Sequence, residues 1–170
     1  VEQDSRGLWF FNSCAASGAS QPHRHLQLLP RSPGELSCPL AGLILRQLEG
    51  ASGPWPWAYR ISRRTAAGTA DRASELSALY QSHAQVLGLG EPGRHAAPQH
   101  PYNLLFDRDW FMTIRRTAEH WAGFSVNALG FAGCLLITEH SDQSWLEREG
   151  PMRLLQAVAA APEAVAGAIP

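Results

Sequence analysis

The stretch on which the reading of this chain turns is Asn12-Ser13-Cys14-Ala15-Ala16-Ser17-Gly18-Ala19-Ser20-Gln21-Pro22-His23-Arg24-His25-Leu26-Gln27. An apolar, aromatic run over residues 8–13 precedes it and reads as a strand; a second strand is predicted over 23–29, closed by Pro30. Side chains on a strand alternate between faces, so His23, His25 and Gln27 share one face while Arg24, Leu26 and Leu28 share the other. Two imidazoles and an amide then line one surface, directly after a loop of small residues that lets backbone N–H groups approach an anion. Three readings stand at this point. The histidines are buried and hydrogen-bonded, or they are two ligands of a metal still needing a third, or one is a nucleophile that attacks phosphorus while the loop and Gln27 hold the phosphate oxygens.

Working outward, Leu40 to Leu48 is an apolar run compatible with helix or strand, and Gly53-Pro-Trp-Pro-Trp57 marks a rigid loop. Trp57 to Arg63 alternates weakly, as a strand does. Leu76, Leu79, Tyr80, His83, Val86 and Leu87 recur at helical spacing, which predicts a helix over 71–89 with Asp71 as a cap and Gly88 at its end. After a Gly-, Pro- and His-rich segment at 90–101, Tyr102 to Asp107 and Trp110 to Arg116 read as two strands around a turn at Arg108-Asp109. Ser125 to Ile137 is expected to be a buried helix, with strand as the fallback, and 142–161 one amphipathic helix; the Ala-rich tail beyond Pro162 is expected to be loose. Strands and helices mix without strict alternation, which gives an α+β class with an antiparallel sheet and flanking helices.

Composition narrows the function classes. The chain has 170 residues, 45% of them hydrophobic and 17% charged, enough for a core. Its net charge of −1 argues against a broad electrostatic grip on nucleic acid or on an anionic membrane. All 14 basic residues are arginine, which removes a Walker-A loop, a pyridoxal Schiff base and a lysyl-adenylate from this segment. Cys14, Cys38 and Cys134 form no CxxC pair, so neither a zinc knuckle nor a disulfide framework is indicated, and a reducing, cytoplasmic setting is expected. No apolar run spans a bilayer and no signal peptide opens the chain. A start at Val1 followed at once by a strand suggests that the chain begins inside a longer protein.

The pattern Gly-x-Ser-x-Pro-His-x-His-x-Gln, with Asn12 eight residues before Ser20, resembles the active-site strand of the histidine-triad superfamily in its transferase branch. It is most similar to the family of diadenosine tetraphosphate phosphorylases, or ATP adenylyltransferases, whose motif reads Asn-x-Gly-x-x-Ala-Gly-Ala-Ser-Gln-x-His-Lys-His-Leu-Gln. A second segment, Pro101-Tyr-Asn-Leu-Leu-Phe106 and then Ser125-Val-Asn-Ala-Leu-Gly-Phe-Ala-Gly133, resembles the C-terminal region of the same family. The resemblance is specific over residues 8–30 and 100–137. It implies a histidine-triad-like catalytic domain whose C-terminal part is residues 1–95, an ATP adenylyltransferase C-terminal region at 96–161, and a tail at 162–170. It also implies that the family's N-terminal region, which gives a lysine and strand residues to the nucleotide pocket, is absent.

The activity so implied is nucleotidyl transfer: phosphorolysis of diadenosine tetraphosphate by inorganic phosphate to ATP and ADP through an adenylyl-histidine. His25 is then the nucleophile, His23 an orienting group, and Gln27 a neutral donor to the α-phosphate. Gly18, Ala19, Ser20 and Gln21 would contact phosphate, Asn12 the ribose or phosphate, and Asn127, Ala128 and Leu129 the second nucleotide. Gln27 stands where the hydrolase branch usually carries a third histidine, which favours transfer over hydrolysis. A divalent cation, magnesium first, is expected to arrive with the nucleotide, with no metal held by protein ligands. Cys14 replaces a frequent glycine, Ser17 a usual alanine, and Arg24 the lysine between the histidines. The other readings are a hydrolase or different nucleotidylyltransferase of this superfamily, and a truncated nucleotide-binding module without activity. Oligomeric state is left open.

Other polar residues carry less. His95, His100, His120 and His140, taken with Asp107 or Glu119, suit a solvated surface better than a metal set. Arg115-Arg116 ends a predicted strand and faces either the polyphosphate or solvent. The six tryptophans read as core, and Gly130-x-x-Gly133 as close packing.

Overall fold

The computed structural model of the chain describes residues 7–65, 69–91, 94 and 97–162; His95 and the tail from residue 163 lie outside the described residues. The central element is a five-stranded antiparallel sheet in the order β2-β1-β4-β5-β3, formed by β1 (Gly7–Asn12), β2 (Gln27–Pro30), β3 (Tyr59–Arg63), β4 (Tyr102–Phe106) and β5 (Trp110–Arg115). Its strands come from both sides of residue 95. Leu8 opposes Leu29, Phe10 opposes Leu105, and Leu105 opposes Met112, so these side chains share one face. Against that face pack α1 (Ala41–Leu48), the one-turn α3 (Ala128–Phe131) and α5 (Pro151–Val158), through Ile44, Phe131, Leu154, Leu155 and Val158. The opposite face carries Leu104, Phe106 and Phe111 and is covered by α2 (Thr69–Val86) through Ala84, with Leu87 just beyond its end.

The predicted hairpin of β4 and β5 forms around Arg108-Asp109, where the Asp107 carboxylate accepts from Asp109 N at 2.8 Å and Trp110 N at 3.1 Å. Helix α2 starts at Thr69, ahead of the expected cap, so Asp71 lies inside its first turn; its end falls where the sequence requires. Gly88 has φ +63°, its N–H donates to Gln85 O, and Leu89 N donates to Ala84 O, the paired bonds of a Schellman motif.

Three expectations are corrected. Residues 142–161 form two helices, α4 (Gln143–Glu149) and α5, because Gly150 turns left-handed at φ +84° and Pro151, lacking an N–H, opens a new helix at its N1 position. Within 125–137 only α3 is helical. Phe124–Ser125 is strand β7, paired with β6 (His120–Trp121) in a separate hairpin, and Gly133 at φ +96° ends the helical turn, leaving Leu136 and Ile137 exposed. Strand β2 begins only at Gln27; its ladder with β1 stops at the Phe10–Gln27 pair, and His23 to Leu26 lie outside it.

On the α2 face His83 is fully buried, with Nε2 2.9 Å from Ser62 Oγ and Nδ1 3.1 Å from Thr113 Oγ1. Burial, with the charge of Arg60 second, pulls its pKa from 6.5 down to about 4. Above pH 6.5 the imidazole is neutral in folded and unfolded chains alike. As pH falls from 6.5 toward 4 only the unfolded chain takes up the proton, and folding stability drops by about 3 kcal/mol at the limit. Urea unfolding midpoints at pH 7.5 and pH 4.5 should show this loss in the native chain and a smaller one in His83→Gln; equal losses in both would remove His83 as its source.

Candidate active site

Strand β1 ends at Asn12, and the chain turns at once through a single 3-10 turn, Ala15–Ser17. Ser17 holds this turn closed from inside: its Oγ donates to Cys14 O at 2.8 Å and accepts from Cys14 N at 3.0 Å. Gly18 follows in the left-handed region at φ +86°. The N–H groups of Ser17 and Ala19 donate to Cys14 O, and that of Gly18 to Ala15 O. The loop therefore spends these donors on its own shape, and Ala15, Ser20 and Gln21 are exposed to solvent.

The loop is fastened to the second motif. A Cβ on Gly18 would lie 2.6 Å from Asn127 Cβ and 2.9 Å from Val126 O, so these backbones touch only because residue 18 is glycine. Asn12 Oδ1 accepts from Ala128 N at 2.9 Å and from Asn103 Nδ2 at 2.7 Å. Asn127 caps α3, its Oδ1 accepting from Leu129 N at 2.9 Å. Asn12, Gly18, Asn127, Ala128 and Leu129 are thus brought together. The Asn12 oxygen and the Asn127 oxygen are engaged within the protein, and both side chains act there as struts of the frame.

His23, His25 and Gln27 lie on the approach to β2 and its first residue. His23 is exposed, His25 and Gln27 half-buried, and the two imidazole centroids are 5.2 Å apart with planes tilted by 49°. His25 Nδ1 lies 3.2 Å from the carbonyl of His23. A carbonyl there accepts only from a protonated Nδ1, which leaves the lone pair on Nε2, the ring atom farther from the backbone. Half-burial of 25, 27 and 29 against exposure of 24, 26, 28 and 30 follows the predicted alternation of faces, which ends before His23, exposed like Pro22 and Arg24.

Two residues of this assembly, Ser17 and Asn103, were not singled out from the sequence as site residues, and a third, Arg116, was read as facing either the polyphosphate or solvent. Ser17, noted only as standing in place of a usual alanine, is buried and organises the turn. Asn103 is completely buried in the middle strand and donates to Asn12 Oδ1 and, at 2.8 Å, to Ser17 O. Arg116 is buried beneath it. The signal available for Asn103 was a polar side chain inside an otherwise apolar strand, Tyr102–Phe106, where burial demands partners. Arg115-Arg116 does not end in solvent as a pair: Arg115 Nη2 lies 2.9 Å from His100 Nε2, and Arg116 is 1% exposed. His120 and His140 lie beside the adjacent Glu119 and Glu139, at 3.6 and 3.7 Å. Among the described residues no three His, Cys, Asp or Glu side chains gather as a metal-holding group, and no helix is long and apolar enough to cross a membrane.

A five-stranded antiparallel sheet whose edge strand is entered through the His-x-His-x-Gln segment, beside a small-residue loop and with both motifs joined across β1 and β4, defines an α+β domain. Residues 53–161 match the family of the ATP adenylyltransferase C-terminal domain, and the chain belongs to that family. Residues 2–46 match the Ap4A phosphorylase N-terminal domain. No curated protein matches the chain in sequence.

Among solved structures, the chain is similar to yeast Ap4A phosphorylase Apa2, at 16% identity and a TM-score of 0.61 over 89% of this chain and 55% of that one. It is also similar to the same yeast protein in complex with Ap4A, at 17% identity and a TM-score of 0.58 over 91% and 54%. Against the complex with AMP the values are 18%, 0.60, 91% and 56%. The chain spans about half the length of these structures, and at such identities the likeness concerns the fold.

Proposed function

We propose that this chain carries the adenylyl-transfer site of an Ap4A phosphorylase, and that His25 is its nucleophile. The observation that carries the reading is the His25 Nδ1 contact with the His23 carbonyl, within a motif whose chain belongs to the ATP adenylyltransferase family. Nε2 attacks the α-phosphorus of diadenosine tetraphosphate, the bond to the bridging oxygen breaks, and ATP leaves. Inorganic phosphate then attacks the phosphoramidate, the P–N bond breaks, and ADP forms as His25 recovers its lone pair. One displacement becomes two easier ones. Gln27 supplies N–H donors to the α-phosphate without adding charge; Ser20 and Gln21 supply polar contacts on the phosphate side. A divalent cation, magnesium first, travels with the polyphosphate, whose phosphate oxygens suit it. Unpaired Cys14, Cys38 and Cys134 accord with a cytoplasmic setting.

The test is product analysis of the chain with diadenosine tetraphosphate and magnesium, with and without inorganic phosphate. ATP and ADP that form only when phosphate is present support the reading. ATP and AMP formed without phosphate point to a hydrolase, and binding without product to a nucleotide-binding module. In the same assay Gln27→His should raise the share of adenylyl groups passed to water by several-fold, since imidazole can take a proton from water where an amide cannot. An unchanged AMP-to-ADP ratio would end the use of residue 27 as a marker of transfer.

A further inference from the structure

Arg116 follows β5 and is 1% exposed, yet its partners are all neutral oxygens. Nε donates to Val158 O at 3.0 Å, one Nη to Asn103 Oδ1, and the other to Ala118 O at 2.7 Å and Val126 O at 2.9 Å. The guanidinium also lies over the ring of Phe131, 5.2 Å from its centroid. Burial draws its pKa down to about 10, which keeps it charged at neutral pH. Glu119 is felt electrostatically, but its carboxylate is engaged by Ser125 Oγ at 2.7 Å, and no carboxylate among the described residues lies within ion-pair distance of Arg116. A buried charge held this way is costly compared with an apolar side chain of similar size, so stability alone does not account for it.

The oxygens it holds supply one. Val126 O is the carbonyl against which Gly18 packs, and Asn103 is the amide that ties Asn12 and Ser17 to β4. Each of the two segments that build the candidate site therefore has one strut that ends on the same guanidinium. We propose that Arg116 is a positioning residue: acting through Asn103 and the Val126 carbonyl, it sets the separation between the Cys14–Gly18 loop and the Asn127–Leu129 segment, and with it the fit of a nucleotide polyphosphate. The proposal rests on the functional reading given above. Arginine suits the role because its planar fork reaches three backbone carbonyls and one amide at once, which no lysine does.

The experiment compares the native chain with Arg116→Gln, Arg116→Lys and Asn103→Ser. It measures the dissociation constant for ATP by calorimetry and, on diadenosine tetraphosphate with phosphate, KM and kcat per folded molecule. Arg116→Gln is expected to weaken ATP binding and raise KM about tenfold while kcat per folded molecule changes less than threefold. Arg116→Lys should recover only part of the loss, since it restores charge without the fork. Asn103→Ser, which cuts one strut and leaves the cation in place, should show the same direction at smaller size, and it carries the test should Arg116→Gln not fold. A merely structural Arg116 would lower the folded fraction and leave both constants of the folded molecules unchanged, and that result overturns the proposal. If the native chain binds ATP but does not turn over the dinucleotide, the functional reading fails while the dissociation constants still decide this one. If it turns over and the variants match it, the positioning role alone is lost.

Discussion

His25→Ala is expected to lose adenylyl transfer altogether, by about 10⁴-fold or more, with the fold intact. The size follows from the chemistry: removing a covalent nucleophile eliminates the two-step path and leaves only what binding and orientation contribute. His25 is half-buried on the approach to an edge strand and makes one hydrogen-bond contact, to its own neighbour's carbonyl, so its truncation leaves the core untouched. Stability should change by less than about 1 kcal/mol. The decisive measurement is incubation with radiolabelled diadenosine tetraphosphate and rapid acid-free denaturation. The native chain should retain an adenylyl group on the protein and His25→Ala none, while His23→Ala should retain a reduced amount. Label kept by His25→Ala would move the nucleophile elsewhere.

Gly18→Ala is expected to damage fold and function together. The new methyl group would meet Asn127 Cβ at 2.6 Å, Asn127 Cα at 2.7 Å and Val126 O at 2.9 Å, and two of these are backbone atoms that cannot swing aside. The left-handed φ of +86° adds a penalty for any side chain. Together these amount to roughly 2–5 kcal/mol, counting about 1–2 for the backbone and 1–3 for the forced shift. The strain falls on the seam between the two motifs, so turnover per folded molecule should fall as well. Differential scanning calorimetry checks the first effect and kinetics corrected for the folded fraction the second. Gly34, whose φ of +87° is similar but which has open space around it, is the control: Gly34→Ala should cost only the backbone part. Equal losses at both positions would show that the contact with Asn127 is immaterial.

Much of the sheet was legible because its signals are local. Leu8 to Phe11, the two runs around Arg108-Asp109, and the helical spacing closed by Gly88 each announce an element within a few residues, and each formed where expected. The break at Gly150-Pro151 was also written in the sequence, but the continuous apolar periodicity on either side outweighed it in the reading. The two motif segments were legible as patterns. The frame that joins them was not. Whether Asn103 is a strut or a surface amide depends on Asn12, 91 residues earlier, and whether Arg116 faces solvent depends on Val158, 42 residues later. No window of local sequence holds that information. The same applies to the small-residue loop: it promised free backbone donors, and only the folded chain reveals that Ser17, Gly18 and Ala19 turn theirs inward.

The bonds that close the frame have a consequence for how the molecule comes into being. Asn12 meets Ala128 across 116 positions, and Arg116 is completed by a carbonyl in α5. Closing loops of that length costs chain entropy that only late contacts repay, and synthesis proceeds from the N-terminus. The histidine segment therefore leaves the ribosome with only its pairing to β1 available, long before the rest of the frame exists. A nascent chain interrupted ahead of Val158 has the whole motif and an unfinished support for it, so the frame is completed only once α5 has been made.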